Sequence, residues 1–245
     1  MSISSSNGLG PKVEAGGACR PSVRLRLVRW FLRGLFRGIF HLISRVTVSG
    51  VENVPQQGAY LIAPNHVSLF DPPLVIAFWP SSPEAAGAAE IWGRKGQAQL
   101  VSWYEVMPVH RHGYDRHLID TMLGCLKAGR PLMIMPEGSR SHTPGMQRAE
   151  PGIAYLIEKT GVPVVPVGVV GTTDDFLEHG LKGKRPHVHM SIGKPIVLPP
   201  IQATGEERRL ARQQNADLIM SRIAALLPAD YRGVYAQPAE RPDTG

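Results

Sequence analysis

His66 and Asp71 are the two side chains of this sequence best suited to moving a proton. They lie in the stretch Ala63-Pro-Asn-His-Val-Ser-Leu-Phe-Asp-Pro-Pro73. A carboxylate within reach of an imidazole accepts one ring N–H, fixes the tautomer and stabilises the imidazolium. The other ring nitrogen is then left to take a proton from a hydroxyl. A separation of five does not put two residues on one face of a regular helix, so the pairing needs a turn between them. The apolar run Ala59-Tyr-Leu-Ile-Ala63 reads as a short buried strand. Asp71-Pro72-Pro73 reads as a helix start, with Asp on the free amides and Pro in the first turn. The same Asp would serve equally as an ordinary helix cap, with His66 a surface turn residue.

Three further stretches place polar side chains at the ends of apolar runs. Met107-Pro-Val-His-Arg111-His-Gly113 ends a short strand in Arg111. Pro131-Leu-Met-Ile-Met135 reads as a buried strand and runs into Pro136-Glu137-Gly138-Ser139-Arg140-Ser141. There Gly138 lets backbone approach a ligand, and Arg140 offers a planar fork for phosphate oxygens. Glu137 would anchor that fork or hold a hydroxyl. Ser139 is not in a G-x-S-x-G elbow and is no candidate nucleophile. The last stretch, Val162 to Val170, is an apolar strand carrying Pro163 and Pro166. His110 and His112, like His187 and His189, alternate as along strands. Without ligand-spaced Cys or acids, no metal site is expected.

In this order the four stretches resemble the sequence blocks of the glycerolipid acyltransferases, the family of 1-acyl-glycerol-3-phosphate acyltransferases. Asn65-His66-Val-Ser-Leu-Phe-Asp71 resembles the NHx4D motif. Pro136 to Ser141 resembles FPEGTRS, with Met before the Pro and Ser in place of Thr. The Arg111 block matches more loosely, with His110 where an acid is usual, and the Pro163 strand resembles the fourth block. The resemblance implies transfer of a fatty acyl group from a thioester, on CoA or acyl carrier protein, to the free hydroxyl of a lysophospholipid. 1-Acyl-glycerol-3-phosphate, giving phosphatidic acid, is the first acceptor. It implies His66 as general base, oriented by Asp71, without an acyl-enzyme. Arg111, Glu137, Gly138, Ser139 and Arg140 would bind the acceptor, and Pro163, Val164 and Pro166 would border the acyl chain. No metal and no bound cofactor are expected. A different lysolipid acceptor, an amino-acid-derived one included, stays open. So do a lipid ester hydrolase, for which no nucleophile or ligand set is found, and a membrane-bound scaffold without catalysis.

These residues must be positioned by a fold that fits 245 residues, enough for one domain with a proper core. Strands alternate with helices from residue 46 to 227. The expectation is a single α/β domain over residues 46–228, with a central mixed, mostly parallel sheet flanked by helices. Ligands in such sheets gather outside the carboxyl ends of the strands. Helices are expected from Pro72 to before Pro80, over Asp115–Ala128 and Pro151–Thr160, and over Glu206–Leu227. Strands are expected over Arg45–Val51 and His187–Ile192. Residues 81–90 read as a loop leading to a strand near Ala88–Trp92. Residues 1–20 read as disordered, and 229–245 as a flexible tail.

The net charge of +7 is localised. Seven arginines and no acid lie between Ala15 and Val51, and the remaining 20 Lys and Arg balance the 20 acids. This argues against a nucleic-acid-binding domain and for one basic element meeting an anionic surface. In residues 21–45 an apolar set (Leu25, Val28, Leu32, Leu35, Phe36, Ile39, Leu42, Ile43) recurs at three- and four-residue steps. Arg26, Arg29, Arg33 and Arg37 recur on another face. The pattern predicts an amphipathic helix or helix pair, with Gly34 and Gly38 a place for a break. No stretch approaches the ~20 uncharged residues of a membrane span. The segment suits a membrane interface, each Arg near an anionic leaflet contributing about 1 kcal/mol. The alternative is an apolar stripe packed on the domain. The chain is thus expected to be a peripheral or monotopic membrane protein on the cytoplasmic face. Cys19 and Cys125 form no metal spacing and no disulfide framework, which points to a reducing compartment.

Overall fold

A computed structural model of the chain describes residues 19–110 and 115–236. Helix α1 (Val23–Ile43) leads into β1 (Arg45–Ser49), then β2 (Leu61–Pro64) and α2 (Asp71–Phe78). Next come β3 (Glu84–Ala88), α3 (Gln97–Tyr104), β4 (Met107–Val109), α4 (Arg116–Lys127) and β5 (Leu132–Met133). The chain ends with α5 (Gly152–Thr160), β6 (Val164–Val170), α6 (Phe176–Leu181), β7 (His187–Ile192) and α7 (Gly205–Ala224). The strands form one seven-stranded sheet in the order β1-β7-β6-β2-β5-β3-β4. Every pairing is parallel except β6 with β7. The α/β domain with a mixed, mostly parallel sheet is therefore as expected.

Strand β6 is apolar throughout because both of its faces are covered. Val164 enters the core cluster that includes Met122, Leu156, Ile219 and Met220, from α4, α5 and α7. Val165, Val167 and Val169 enter the opposite cluster with Phe40, Leu74, Trp79 and Phe176. Pro166 sits where the ladder to β7 breaks off, between the Val167–Ile192 pair and the Val164–Ile196 bridge. Its missing N–H therefore leaves no partner unpaired, and its carbonyl accepts from Gly193 N at 2.9 Å. The β2–β6 and β2–β5 pairs set the carboxyl ends of β2, β5 and β6 side by side. The residues that follow these three strands build the site.

Several expectations are corrected. Residues 84–88 are not a loop: they form β3, between β5 and β4. Glu84 hid it, a charged residue at a buried strand position where burial requires a paired charge. Helix α3 and helix α6 carry no strong apolar stripe in the sequence and were not expected. Residues 229–236 are no tail but form two 3-10 turns, with Tyr231 buried. Residues 237–245 and most of 1–20 lie outside the described residues. Cys19 and Cys125 form a disulfide, with Cα atoms 4.8 Å apart. It ties the segment before α1 to α4, and the argument for a reducing compartment loses its premise.

Helix α1 runs unbroken through Gly34 and Gly38, as one helix rather than a pair. Three of its arginines, Arg29, Arg33 and Arg37, bond to the domain instead of pointing to an outside surface, while Arg24 and Arg26 stay exposed. Arg29 is buried and donates to both oxygens of Glu84 (3.0 and 2.7 Å) and to the Tyr104 carbonyl (2.9 Å). Arg130 donates to the same Glu84 at 2.9 Å. Arg33 donates to the carbonyls of Ile76 (3.0 Å) and Trp79, and Arg37 to that of Ala77 (2.6 Å). These carbonyls lie at the end of α2, where a helix leaves them without internal partners. The inner face also buries Leu25, Leu32, Phe40 and Ile43. The large apolar side chains that α1 exposes are Val23, Leu27, Trp30, Phe31, Leu35, Ile39 and Leu42, with Trp30 72% and Leu42 76% exposed; Arg24, Arg26 and His41 are exposed as well. Gly34 and Gly38 hollow this outer face into a groove of about 420 Å³.

Candidate active site

The turn after β2 is held from three directions. Asn65, fully buried, is bonded at both ends of its amide to Val169 of β6: it donates to the carbonyl at 3.0 Å and accepts from N at 2.7 Å. This fixes where β2 stops. Glu137, after β5, accepts from His66 N at 2.7 Å through one oxygen and from Gln147 N at 2.8 Å through the other. The backbone beyond it returns to the turn, with Ser141 N donating to the His66 carbonyl at 2.9 Å and His142 N to that of Val67 at 3.1 Å.

Within this frame His66 and Asp71 meet. His66 Nδ1 is 3.0 Å from Asp71 Oδ2. The same oxygen accepts from Val67 N (2.7 Å) and Ser68 N (2.8 Å), and Oδ1 accepts from Thr172 Oγ1. The ambiguity of Asp71 is thereby resolved. It opens α2 in sequence, but its carboxylate closes the turn before the helix and orients the imidazole. Asp71 is 0% exposed, whereas the His66 side chain retains 14%. With Nδ1–H donated to the carboxylate, Nε2 carries the lone pair.

The other expected residues are placed less uniformly. Gly138 has φ +68°, a left-handed conformation, and a Cβ there would meet Glu150 Cγ at 2.9 Å, so only Gly fits. Ser139 Oγ donates to Gln147 Oε1 at 3.2 Å, and Gln147 Nε2 donates to the Arg140 carbonyl at 2.9 Å. The expected Glu137–Arg140 fork is not formed, because both Glu137 oxygens are taken by backbone amides. The Arg140 guanidinium has no hydrogen-bond partner among the described residues. Arg111 lies outside the described residues. Of the three residues expected beside an acyl chain, Val164 is wholly buried in the core and Pro166 is buried in the sheet. Pro163 is half-buried, its carbonyl accepting from Leu61 N at 3.0 Å. No group of His, Cys, Asp and Glu among the described residues could hold a metal.

Glu137 is the acid whose ionisation the site perturbs. Burial pushes it up to about 7, the two backbone N–H bonds pull the other way, and Asp71 adds to the rise. Asn65, Gln147 and Thr172 are the residues that sequence reasoning missed. Asn65 stood inside the first block, but nothing in a sequence says where its amide goes. Thr172 opens a Thr-Thr-Asp-Asp run after β6 that reads only as a loop.

An oriented His–Asp pair thus stands at the strand ends of a mixed α/β sheet, and similarity to known proteins gives the class its name. The sequence profile of the family described as Acyltransferase matches residues 45–170, just over half of the chain, and the chain belongs to that family. The lyso-ornithine lipid O-acyltransferase of Pseudomonas aeruginosa is 29% identical over 88% of this chain and 86% of its own length. The chloroplastic 1-acyl-sn-glycerol-3-phosphate acyltransferase BAT2 of Brassica napus is 27% identical over 62% of the chain, a match spanning 45% of the plant protein. The crystal structure of the 1-acyl-sn-glycerophosphate acyltransferase PlsC of Thermotoga maritima shares the fold, with a TM-score of 0.55. It is 24% identical, covering 80% of this chain and 78% of that one. The chain is an O-acyltransferase.

Proposed function

We propose that this acyltransferase acylates the free hydroxyl of an anionic lysolipid at a membrane surface, with 1-acyl-glycerol-3-phosphate as first acceptor. The observation that carries the reading is the His66–Asp71 contact, with Nδ1 engaged by a wholly buried carboxylate and Nε2 left with its lone pair. The acceptor O–H gives its proton to Nε2 as its oxygen attacks the thioester carbonyl. The C–S bond breaks, and the thiolate of CoA or acyl carrier protein takes the proton back. Arg140, a guanidinium without a partner among the described residues, supports an anionic head group, and Arg111 would join it there. A second acceptor, a lyso-ornithine lipid, is favoured by the relative of that name matched along most of both chains.

Membrane contact through the outer face of α1 belongs to the same reading. It is supported by the exposed Trp30, Phe31, Leu35 and Leu42. No helix among the described residues is long and apolar enough to cross a membrane. The test is a panel of lysolipid acceptors with one acyl thioester, read by product mass. Acylation of lysophosphatidate above all others supports the first acceptor, and exclusive acylation of the ornithine lipid replaces it. Thioester hydrolysis at the same rate without any acceptor overturns the transferase mechanism.

A further inference from the structure

Thr172 contributes a side chain to the His–Asp pair from a part of the chain that no sequence block covers. Its hydroxyl donates to Asp71 Oδ1, the oxygen that faces away from His66. Thr172 is 1% exposed and Asp71 0%. Among the described residues, every other hydrogen bond of this carboxylate falls on Oδ2: the imidazole, Val67 N and Ser68 N. Without Thr172 the second oxygen would be a buried, charged acceptor with no donor among the described residues. The carboxylate would then be held through Oδ2 alone, and its plane could tilt about the three donors that converge on that oxygen.

The backbone that presents Thr172 is also specified. Gly171 has φ +90°, and a Cβ there would stand 2.1 Å from the His187 carbonyl, so only Gly lets β6 turn at this point. Gly171 N donates to the hydroxyl of Tyr231 at 3.1 Å. Two residues earlier, Val169 is locked to Asn65 by both of its backbone groups. The end of β6 is therefore pinned to the turn that carries His66 at one point and to the C-terminal segment at another. The Thr172 hydroxyl has little freedom to go elsewhere.

We infer that Thr172 is a positioning residue for acyl transfer, acting through Asp71 on His66 rather than touching substrate. The inference rests on the His66–Asp71 reading. A hydroxyl held on the far oxygen fixes the plane of the carboxylate, and so the direction of the Nδ1–H bond and of Nε2 behind it. Its loss misdirects the base without removing a substrate contact, so kcat falls while KM for acceptor and thioester does not.

The experiment compares the full-length Thr172→Val, Thr172→Ser and His66→Ala proteins with wild type, assayed below the melting temperature of each. Thr172→Val keeps the shape and lacks the donor, and its kcat is expected to drop about 10- to 100-fold with KM unchanged, as for loss of a bond to a charged group. Thr172→Ser restores the donor and is expected to recover most of that loss. A Val variant as fast as wild type overturns the inference. So does a Ser variant as slow as the Val variant, or a rise in KM at constant kcat. Loss of activity in His66→Ala with a normal Val variant leaves the base in place and removes only Thr172. Full activity in His66→Ala removes the base itself.

Discussion

His66 is expected to be indispensable and Asp71 nearly so. His66→Ala should lower kcat/KM by about 10²- to 10⁴-fold, the usual contribution of a general base, with the melting temperature little changed. Asp71→Asn should also lose most turnover, since a neutral amide does not stabilise an imidazolium. Glu137 offers a pH test. Burial raises it from 4.5 to about 7, so its folded form binds a proton more tightly than the unfolded chain does. Its contribution to stability is full below about 4.5 and is lost as pH rises through about 7. Chemical denaturation across this window should show wild-type stability falling with pH, and Glu137→Gln should remove that slope. The types and spacing of His66 and Asp71 were legible in the sequence, because a turn motif keeps its donors and acceptors close in the chain. The partners of Glu137 were not. Its natural mate by spacing is Arg140, yet it bonds His66 N, 71 residues away, and a backbone amide leaves no mark in sequence.

Helix α1 shows what periodicity tells and what it does not. Steps of three and four gave a helix with an arginine face and an apolar face, and α1 has both. They did not say which way the faces point, and α1 is apolar on two sides. Arg29, Arg33 and Arg37 turn to the domain because it offers a buried carboxylate on β3 and unpaired carbonyls at the end of α2, whereas Arg24 and Arg26 stay exposed. Arg29→Ala should destabilise the fold by about 3–5 kcal/mol, since it leaves Glu84 buried with one of its two cations removed. Thermal or urea unfolding measures this. Replacing Phe31 and Leu35 together by Asp should leave unfolding unchanged, because both are exposed, and should release the protein from anionic vesicles in a flotation assay. Strand β3 was illegible for the complementary reason: Glu84 reads as polar until Arg29 and Arg130, 55 and 46 residues away, are seen to neutralise it.

At the scale of the whole molecule, distant segments close on one another. The disulfide joins residues 106 apart, and the turns after α7 return to the site's loop, with Met146 N donating to the Tyr231 carbonyl at 3.1 Å. By the chain-entropy argument a bridge of this span contributes up to about 4–5 kcal/mol. Thermal unfolding with and without reductant should show a lower melting temperature in the reduced protein, and Cys125→Ser should match it. None of this was visible as pattern, because two cysteines and a Pro-rich end carry no spacing signal.

The arginines of α1 have a consequence for how such a protein can be rebuilt. A segment that merely held an enzyme to a surface would be modular: it could be cut away to leave a soluble catalyst, or exchanged for any amphipathic peptide. Here the same helix neutralises Glu84 and satisfies the carbonyls of Ile76 and Ala77. Amputation would therefore strip charge compensation from β3, and a chimera carrying a generic anchor would inherit an unfolding defect unless Arg29, Arg33 and Arg37 were transplanted with it. If α1 is the membrane contact proposed above, tether and scaffold are one piece of chain, and neither can be re-engineered alone.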